Sequence, residues 1–283
     1  MSNWVDQIKE KYITGTIVEK IIFINIALFL LTYLINTFSY LLDGDGNFVL
    51  EWFALSPLVD TYITRPWTLI SYGFLHSGFF HIVFNLLFLY YIGNLFLDFF
   101  SKKQFITYYF LGILFGGILY LVSYNYLPAL KGQQTILVGA SAGVIAVLVG
   151  IASYIPNYAL QFRFIGSIKL LYIAIGFVIL DIVQIPVNNA GGHIAHLGGA
   201  VIGFLLTTYF NQGKNISLWP ENLFVAKKDK PLKTVYKNKA TSKSTNPIEQ
   251  QRKIDAILDK ISKSGYETLS KEEKDFLFKA GKN

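Results

Sequence analysis

Six stretches, near 17–36, 74–97, 104–124, 136–155, 168–187 and 193–210, run with scarcely a charged side chain, and no other feature of the chain restricts its fold so severely. Runs of that length and polarity cross a bilayer as helices, because lipid offers no partner to an unpaired backbone N–H or C=O. The composition, 53% hydrophobic against 15% charged, lies outside the range of soluble domains. The expected fold is therefore all-α, a bundle of six transmembrane helices. Its connections are short except the first, Ser39 to Tyr72, which alone has room for structure of its own. Trp52, Phe53 and Trp67 there suit a half-buried position at a membrane interface.

Positive charge sets the expected orientation. Lys9, Lys11 and Lys20 precede the first span, Lys102 and Lys103 separate the second and third, and Arg163 and Lys169 separate the fourth and fifth. A lysine-rich tail follows the sixth, whereas the alternate connections hold only Arg65 and Lys131. Both termini are expected in the cytoplasm, with 39–72, 125–135 and 188–192 facing outward. Residues 1–20 carry Asp6, Lys9, Glu10, Lys11, Glu19 and Lys20, unlike a cleavable signal peptide. The compact spacing, short connections and absence of a targeting segment suggest a multi-pass protein of a bacterial inner (cell) membrane.

Polar side chains inside such spans are costly and mark function. Here they are His76, His81 and Asn85 early in span two, Ser141 early in span four, Asp181 and Gln184 late in span five, and His193 and His196 early in span six. Spans two, four and six run in the same direction, so His81, Asn85, Ser141 and His196 fall at one shallow depth. Taken singly, each has a bland reading: a serine among glycines packs helices, and a lone histidine bonds a carbonyl. Together they supply a nucleophile, a base and oxyanion donors near water. Ser141 lies in Gly139-Ala140-Ser141-Ala142-Gly143, where small neighbours permit close backbone approach, and His196 can take a serine proton near neutral pH.

The motifs that hold these residues are specific. Phe74-Leu75-His76-Ser77-Gly78 followed by His81-Ile82-Val83-Phe84-Asn85, then Gly139-Ala140-Ser141, then Ala195-His196-Leu197-Gly198-Gly199, resemble in order the rhomboid family of intramembrane serine proteases over residues 15–210. The resemblance implies a Ser141–His196 dyad without a carboxylate, a covalent acyl-enzyme, and an oxyanion held by the Ser141 N–H with His81 and Asn85. Gly199 and Gly203 would let spans four and six pack closely, beside Gly139 and Gly143. The chain departs from the family in two places. Trp67-Thr68 stands for Trp-Arg, with Arg65 two positions earlier, and Ile145 replaces an aromatic residue one turn after the serine, leaving packing alone to hold His196.

Other signals are weaker. Asp43-Gly44-Asp45-Gly46-Asn47 begins like a calcium loop but has Phe48 and Ala54 where Gly and Glu belong. No zinc motif is present and Asp181 has no second aspartate beside it, so no metal or cofactor is expected. Asp181 itself reads as a hydrogen-bonding partner of a neighbouring span, or as lining the side by which a substrate helix enters.

The organisation expected is a cytoplasmic N-terminus at 1–16, the six-span domain at 17–210, a basic linker at 211–247 and a small cytoplasmic helix-turn-helix appendage at 248–283. Ile254, Ile257, Leu258 and Ile261 recur at helical spacing, Ser264-Gly265 is a stop, and Ser270-Lys271-Glu272-Glu273 has the form of a capping box. Residues 211–283 hold 16 Lys/Arg and nine Asp/Glu, which accounts for the whole net charge of +7. Without a nucleic-acid module, that tail points to anionic lipid, a cytoplasmic partner or a second copy. Two functions remain open, cleavage of single-span membrane proteins and capture of such clients by a catalytically silent relative; a transporter is a distant third, for want of repeat symmetry.

Overall fold

A computed structural model describes residues 3–44, 48–163, 166–214 and 247–280. The chain divides into two units, Met1–Val225 and Ala226–Asn283. In the first, α1 (Trp4–Thr14) leads into α2 (Ile17–Leu41). The short helices α3 (Phe48–Phe53), α4 (Val59–Thr64) and α5 (Thr68–Ser71) follow, then α6 (Phe79–Phe99), α7 (Lys102–Tyr126) and α8 (Ser141–Tyr154). A hairpin of β1 (Ala159–Phe162) and β2 (Gly166–Lys169) precedes α9 (Leu170–Gln184) and α10 (Ala190–Asn211). The described residues of the second unit form α11 (Pro247–Ser264) and α12 (Lys271–Ala280).

Local chemistry explains the helix starts. Thr16 and Glu19 form a capping box at α2, and Ser101 and Gln104 form one at α7, each satisfying two orphan N–H groups. Among the described helices, α2, α6, α7 and α10 are long and apolar enough to cross a membrane. The 14 residues of α8 and 15 of α9 span only about 21–23 Å, short of a bilayer core. For α8 the reason is burial: every residue from Ala142 to Ala152 is enclosed by protein. The non-helical approach to it, ending at Gly139 with φ +131°, is tolerated at membrane depth because other segments pair with its backbone. Leu137 exchanges backbone hydrogen bonds with Leu55, and the Gly139 N–H donates to Tyr72 O at 3.0 Å.

Small residues bring α7, α8 and α10 together. A Cβ on Gly198 would meet Phe115 O at 2.8 Å on α7, and one on Gly199 or Gly203 would meet Ala142 O at 2.1 Å or Ala146 O at 2.3 Å on α8. A Cβ on Gly143 would in turn reach Tyr109 O of α7 at 2.7 Å. A buried polar pair ties the same helices at the other end of α8, where Thr207 Oγ1 bonds Tyr108 OH at 2.8 Å and Gly150 O at 3.0 Å. Such contacts matter in lipid, where burial of apolar surface gives helices little reason to associate.

Two connections differ from expectation. The hairpin lies between α8 and α9, where no structure was expected, because antiparallel strands pairing Ala159 with Lys169 and Phe162 with Gly166 satisfy backbone groups that a bare loop would leave open. In the first connection Arg65 has a clear structural partner set despite its displaced position. Its guanidinium donates to Glu51 O and lies 4.4 Å over the Trp52 ring, while Trp67 Nε1 donates to Trp52 O at 2.8 Å and the two indoles stack at 3°. Residues 45–47 of the calcium-like stretch fall outside the described residues.

In the second unit, α11 ends at Gly265, whose φ of +82° is the left-handed turn that glycine permits. Ser270 and Glu273 bond reciprocally at 2.8 and 3.3 Å, capping α12, and Lys260 pairs with Glu273 at 2.9 Å. Ile257 and Leu269 are its buried apolar residues. Of the stretch read as a linker, residues 215–246 lie outside the described residues.

Candidate active site

Ser141 is the first residue of α8, so the N–H groups around it have no partner in the helix and its dipole favours negative charge there. Its Oγ lies 2.6 Å from Nε2 of His196, which stands in the second turn of α10. The hydroxyl and imidazole face a cleft of about 460 Å³ whose walls are Phe84, Asn85 and Phe88 of α6 and Phe177, Leu180 and Gln184 of α9. Four helices therefore meet at one serine.

His81 approaches from α6. Its Nδ1 accepts the Ser77 N–H at 3.3 Å and lies 3.0 Å from Ser77 Oγ; accepting at Nδ1 leaves the ring proton on Nε2. That nitrogen points at Gly139, where an added Cβ would lie 2.9 Å from it and 3.4 Å from Ser141 Oγ. Gly139 is thus required twice, for its φ and for room beside His81. Asn85 lines the same cleft, yet its Nδ2 donates to His81 O at 2.9 Å, so one amide hydrogen is engaged with its own helix and one is left for another acceptor. Gly143, Gly199 and Gly203 hold α8 against α7 and α10 rather than touching the serine.

The arrangement holds a carboxylate that the resemblance does not imply. Asp181 of α9 is the one acidic side chain among the buried described residues, and its Oδ1 lies 2.8 Å from Nδ1 of both His193 and His196. His196 is therefore held by a hydrogen bond and not by packing alone, although Ile145 does lie in the cleft as an aliphatic residue. Asp181 hydrogen-bonds a neighbouring helix, the first of the two roles weighed for it, and also lines the cleft. His193, which the sequence places only among the polar residues early in span six, is its second partner. The signal that could have found this cluster is the pair of histidines three residues apart on α10 beside a lone acid at the end of the preceding apolar run. Their ligand atoms lie within 4.8 Å of one another, but the same oxygen already takes both imidazole donors, which describes a hydrogen-bonded unit.

His76 is buried, stacks edge-on against His81 with ring centroids 5.2 Å apart, and lines a second cavity together with Thr32, Asn36, Ser77, His81 and Asn189.

Residues 64–213 match the Rhomboid domain family, a match that includes α5 through α10 and every residue of the cleft. The chain belongs to the rhomboid family. It is a membrane protein with several apolar helices. Residues 245–281 match a family of unknown function, DUF6576, which covers α11 and α12. Among its relatives, this rhomboid is 28% identical over 161 residues to RHOMBOID-like protein 12, mitochondrial, of Arabidopsis thaliana, covering 53% of this chain and 48% of that one. It is 31% identical over 174 residues to Inactive rhomboid-related protein 2 of Caenorhabditis elegans, covering 58% and 47%. RHOMBOID-like protein 4 of Arabidopsis thaliana is 33% identical over 145 residues, covering 50% and 33%. The matches span about half the length of these relatives or less.

Proposed function

We propose that this rhomboid is an intramembrane serine endopeptidase that cuts single-span membrane proteins near the outer face of the membrane. The observation that carries the reading is the 2.6 Å approach of Ser141 Oγ to His196 Nε2 in a cleft lined by α6, α8, α9 and α10. Ser141 Oγ attacks the scissile carbonyl while its proton passes to His196 Nε2. The oxyanion forms at the start of α8, toward the Ser141 N–H, the His81 Nε2–H and the free Asn85 amide hydrogen, which become stronger partners as charge develops. Collapse of this intermediate breaks the C–N bond, and His196 returns the proton to the leaving amine. Water then gives its proton to His196 and attacks the acyl-serine, releasing the carboxylic acid and restoring the hydroxyl. No metal or cofactor enters.

The six apolar helices are proposed to span the membrane, α8 and α9 included, with both termini cytoplasmic and the Ser141 end of the bundle outward, in a bacterial inner membrane. The positive residues flanking α2, α6, α7 and α9 favour this orientation. Substrates with helix-breaking residues beside the cut fit a serine that reaches only unwound peptide. The second unit is proposed as a cytoplasmic appendage that contacts anionic lipid, a partner or a second copy. The name of the Caenorhabditis elegans relative favours a second reading, in which the chain binds membrane-protein clients without cutting them.

Purified full-length protein in detergent, mixed with a single-span reporter carrying a helix-breaking outer segment, separates the two. Cleavage by the parent and not by Ser141→Ala is the expected result. Failure of both across several reporters, with the parent folded and still binding them, would leave the client-binding reading.

A further inference from the structure

The cluster beside the base has chemistry that the dyad reading does not use. Asp181 Oδ1 sits 2.8 Å from Nδ1 of His193 and 2.8 Å from Nδ1 of His196, and no donor among the described residues reaches its buried Oδ2. When Asp181 is ionised, this one oxygen has no hydrogen to give and accepts from both ring nitrogens, so each Nδ1 then holds a hydrogen. A neutral imidazole with its hydrogen on Nδ1 has its lone pair on Nε2, and in His196 that lone pair faces the Ser141 hydroxyl at 2.6 Å. The opposite tautomer would set an N–H against the O–H and could not take the proton.

We propose that Asp181 is a positioning residue for His196, fixing the imidazole in the tautomer and orientation that accept the Ser141 proton, so that a carboxylate on α9 completes a Ser141–His196–Asp181 triad in this rhomboid. The proposal rests on the protease reading. Geometry also explains why this chain has room for it. With Ile145 on α8 in place of an aromatic ring, the described ring contact of His196 is the edge-on one with His193, centroids 5.9 Å apart, and the hydrogen bond from α9 adds a directional restraint. A buried acid is costly unless it is paired, and here both imidazoles donate to it. When His196 takes the proton it becomes an imidazolium, which a carboxylate 2.8 Å away stabilises more than any neutral acceptor would.

The test uses full-length protein in detergent with two variants. Asp181→Asn keeps an acceptor and removes the charge; Asp181→Leu removes both. In the related geometry of soluble triad proteases, losing the carboxylate lowers kcat about 10⁴-fold. With Oδ1 shared by two histidines, kcat here should fall about 10²- to 10⁴-fold in both variants, with KM within about threefold of the parent. The tautomer has its own signature. The chain contains four histidines, so ¹⁵N resonances of labelled imidazoles can be assigned by single substitution. His196 of the parent should show a protonated Nδ1 and an unprotonated Nε2, a pattern lost in Asp181→Leu and also in Asp181→Asn, whose amide N–H can donate to Nδ1.

Asp181→Leu with kcat within threefold of the parent would overturn the proposal, as would a parent His196 protonated at Nε2. If Asp181→Leu does not fold, the parent spectrum decides. If the parent neither cleaves reporters nor reacts with a fluorophosphonate, the protease reading fails, while the spectrum still decides whether Asp181 sets the tautomer.

Discussion

Gly199 of α10 lies so close to Ala142 of α8 that a side-chain carbon on the glycine would stand 2.1 Å from the alanine carbonyl oxygen. Ala142 follows Ser141, and Gly199 lies three residues after His196, so the approach of these two backbones sets the distance between nucleophile and base.

Gly199→Val therefore pushes α10 off α8. The expected result is destabilisation toward the upper end of the ~1–3 kcal/mol typical of overpacking, and a loss of cleavage of about 10²-fold or more as Ser141 and His196 separate. Thermal unfolding in detergent and reporter cleavage measure the two effects. Gly176→Ala on α9, where an added Cβ meets nothing within 4 Å, is the control that should change neither.

Gly139→Ala tests the turn before the serine. At φ +131° a side chain costs about 1–3 kcal/mol, and the new methyl would press on His81 Nε2. Cleavage should fall further than stability alone explains, seen as a lower kcat in protein that is still folded at the assay temperature.

His81→Ala and Asn85→Ala each remove a donor from the proposed oxyanion site. Each should lower kcat about 10²- to 10³-fold with little change in KM. Both side chains are proposed to donate to one oxyanion, so the two are coupled and the double variant should lose less than the product of the single losses. Independent, multiplying losses would place the residues in separate roles.

Arg65→Ala removes both the hydrogen bond to Glu51 O and the cover over Trp52. A decrease in stability of about 1 kcal/mol is expected, with cleavage retained at low temperature. Arg65→Lys should recover only part of it, because an ammonium cannot lie flat on the indole. The unfolding midpoint of the three proteins gives the answer.

Glu273 supplies a pH dependence in the second unit. Hydrogen bonding by the Ser270 N–H, and then by Lys260, holds its carboxyl below the usual glutamate range. A depressed folded pKa contributes stability above the unfolded value and loses it as pH falls through the folded value. The protection of amides in 271–280 of the full-length chain, relative to their intrinsic exchange rate at each pH, should thus fall on acidification below the ordinary glutamate range. In Glu273→Gln that protection should be lower at neutral pH and lack the acid step.

The apolar runs made the helical, membrane-bound character legible, since length and polarity leave a chain in lipid few alternatives. The clustering of His81, Asn85, Ser141 and His196 was legible too, because alternate spans run in the same direction and equal depth follows from counting residues. The hairpin at 159–169 was not, since four-residue strands leave no strong period. Nor was α1, which lies in the stretch read only as a charged N-terminus ahead of the first apolar run. Asp181 shows the deeper limit. On α9 the outward side chains, among them Ile175, Ile179 and Val183, are as apolar as the inward Leu170 and Ala174, so periodicity that would separate inside from outside in water is silent in lipid.

The sequence by itself determined that this chain is a bundle of apolar helices with a serine, two histidines and an asparagine at one level, because those properties depend on residue type and spacing along a helix. Only the tertiary structure decided which groups touch. The rotation of α9 that turns Asp181 toward α10, and the glycine contacts that bring Ser141 within 2.6 Å of His196, come from packing between helices, where close backbone approach and a few buried hydrogen bonds select among arrangements that hydrophobicity leaves equal.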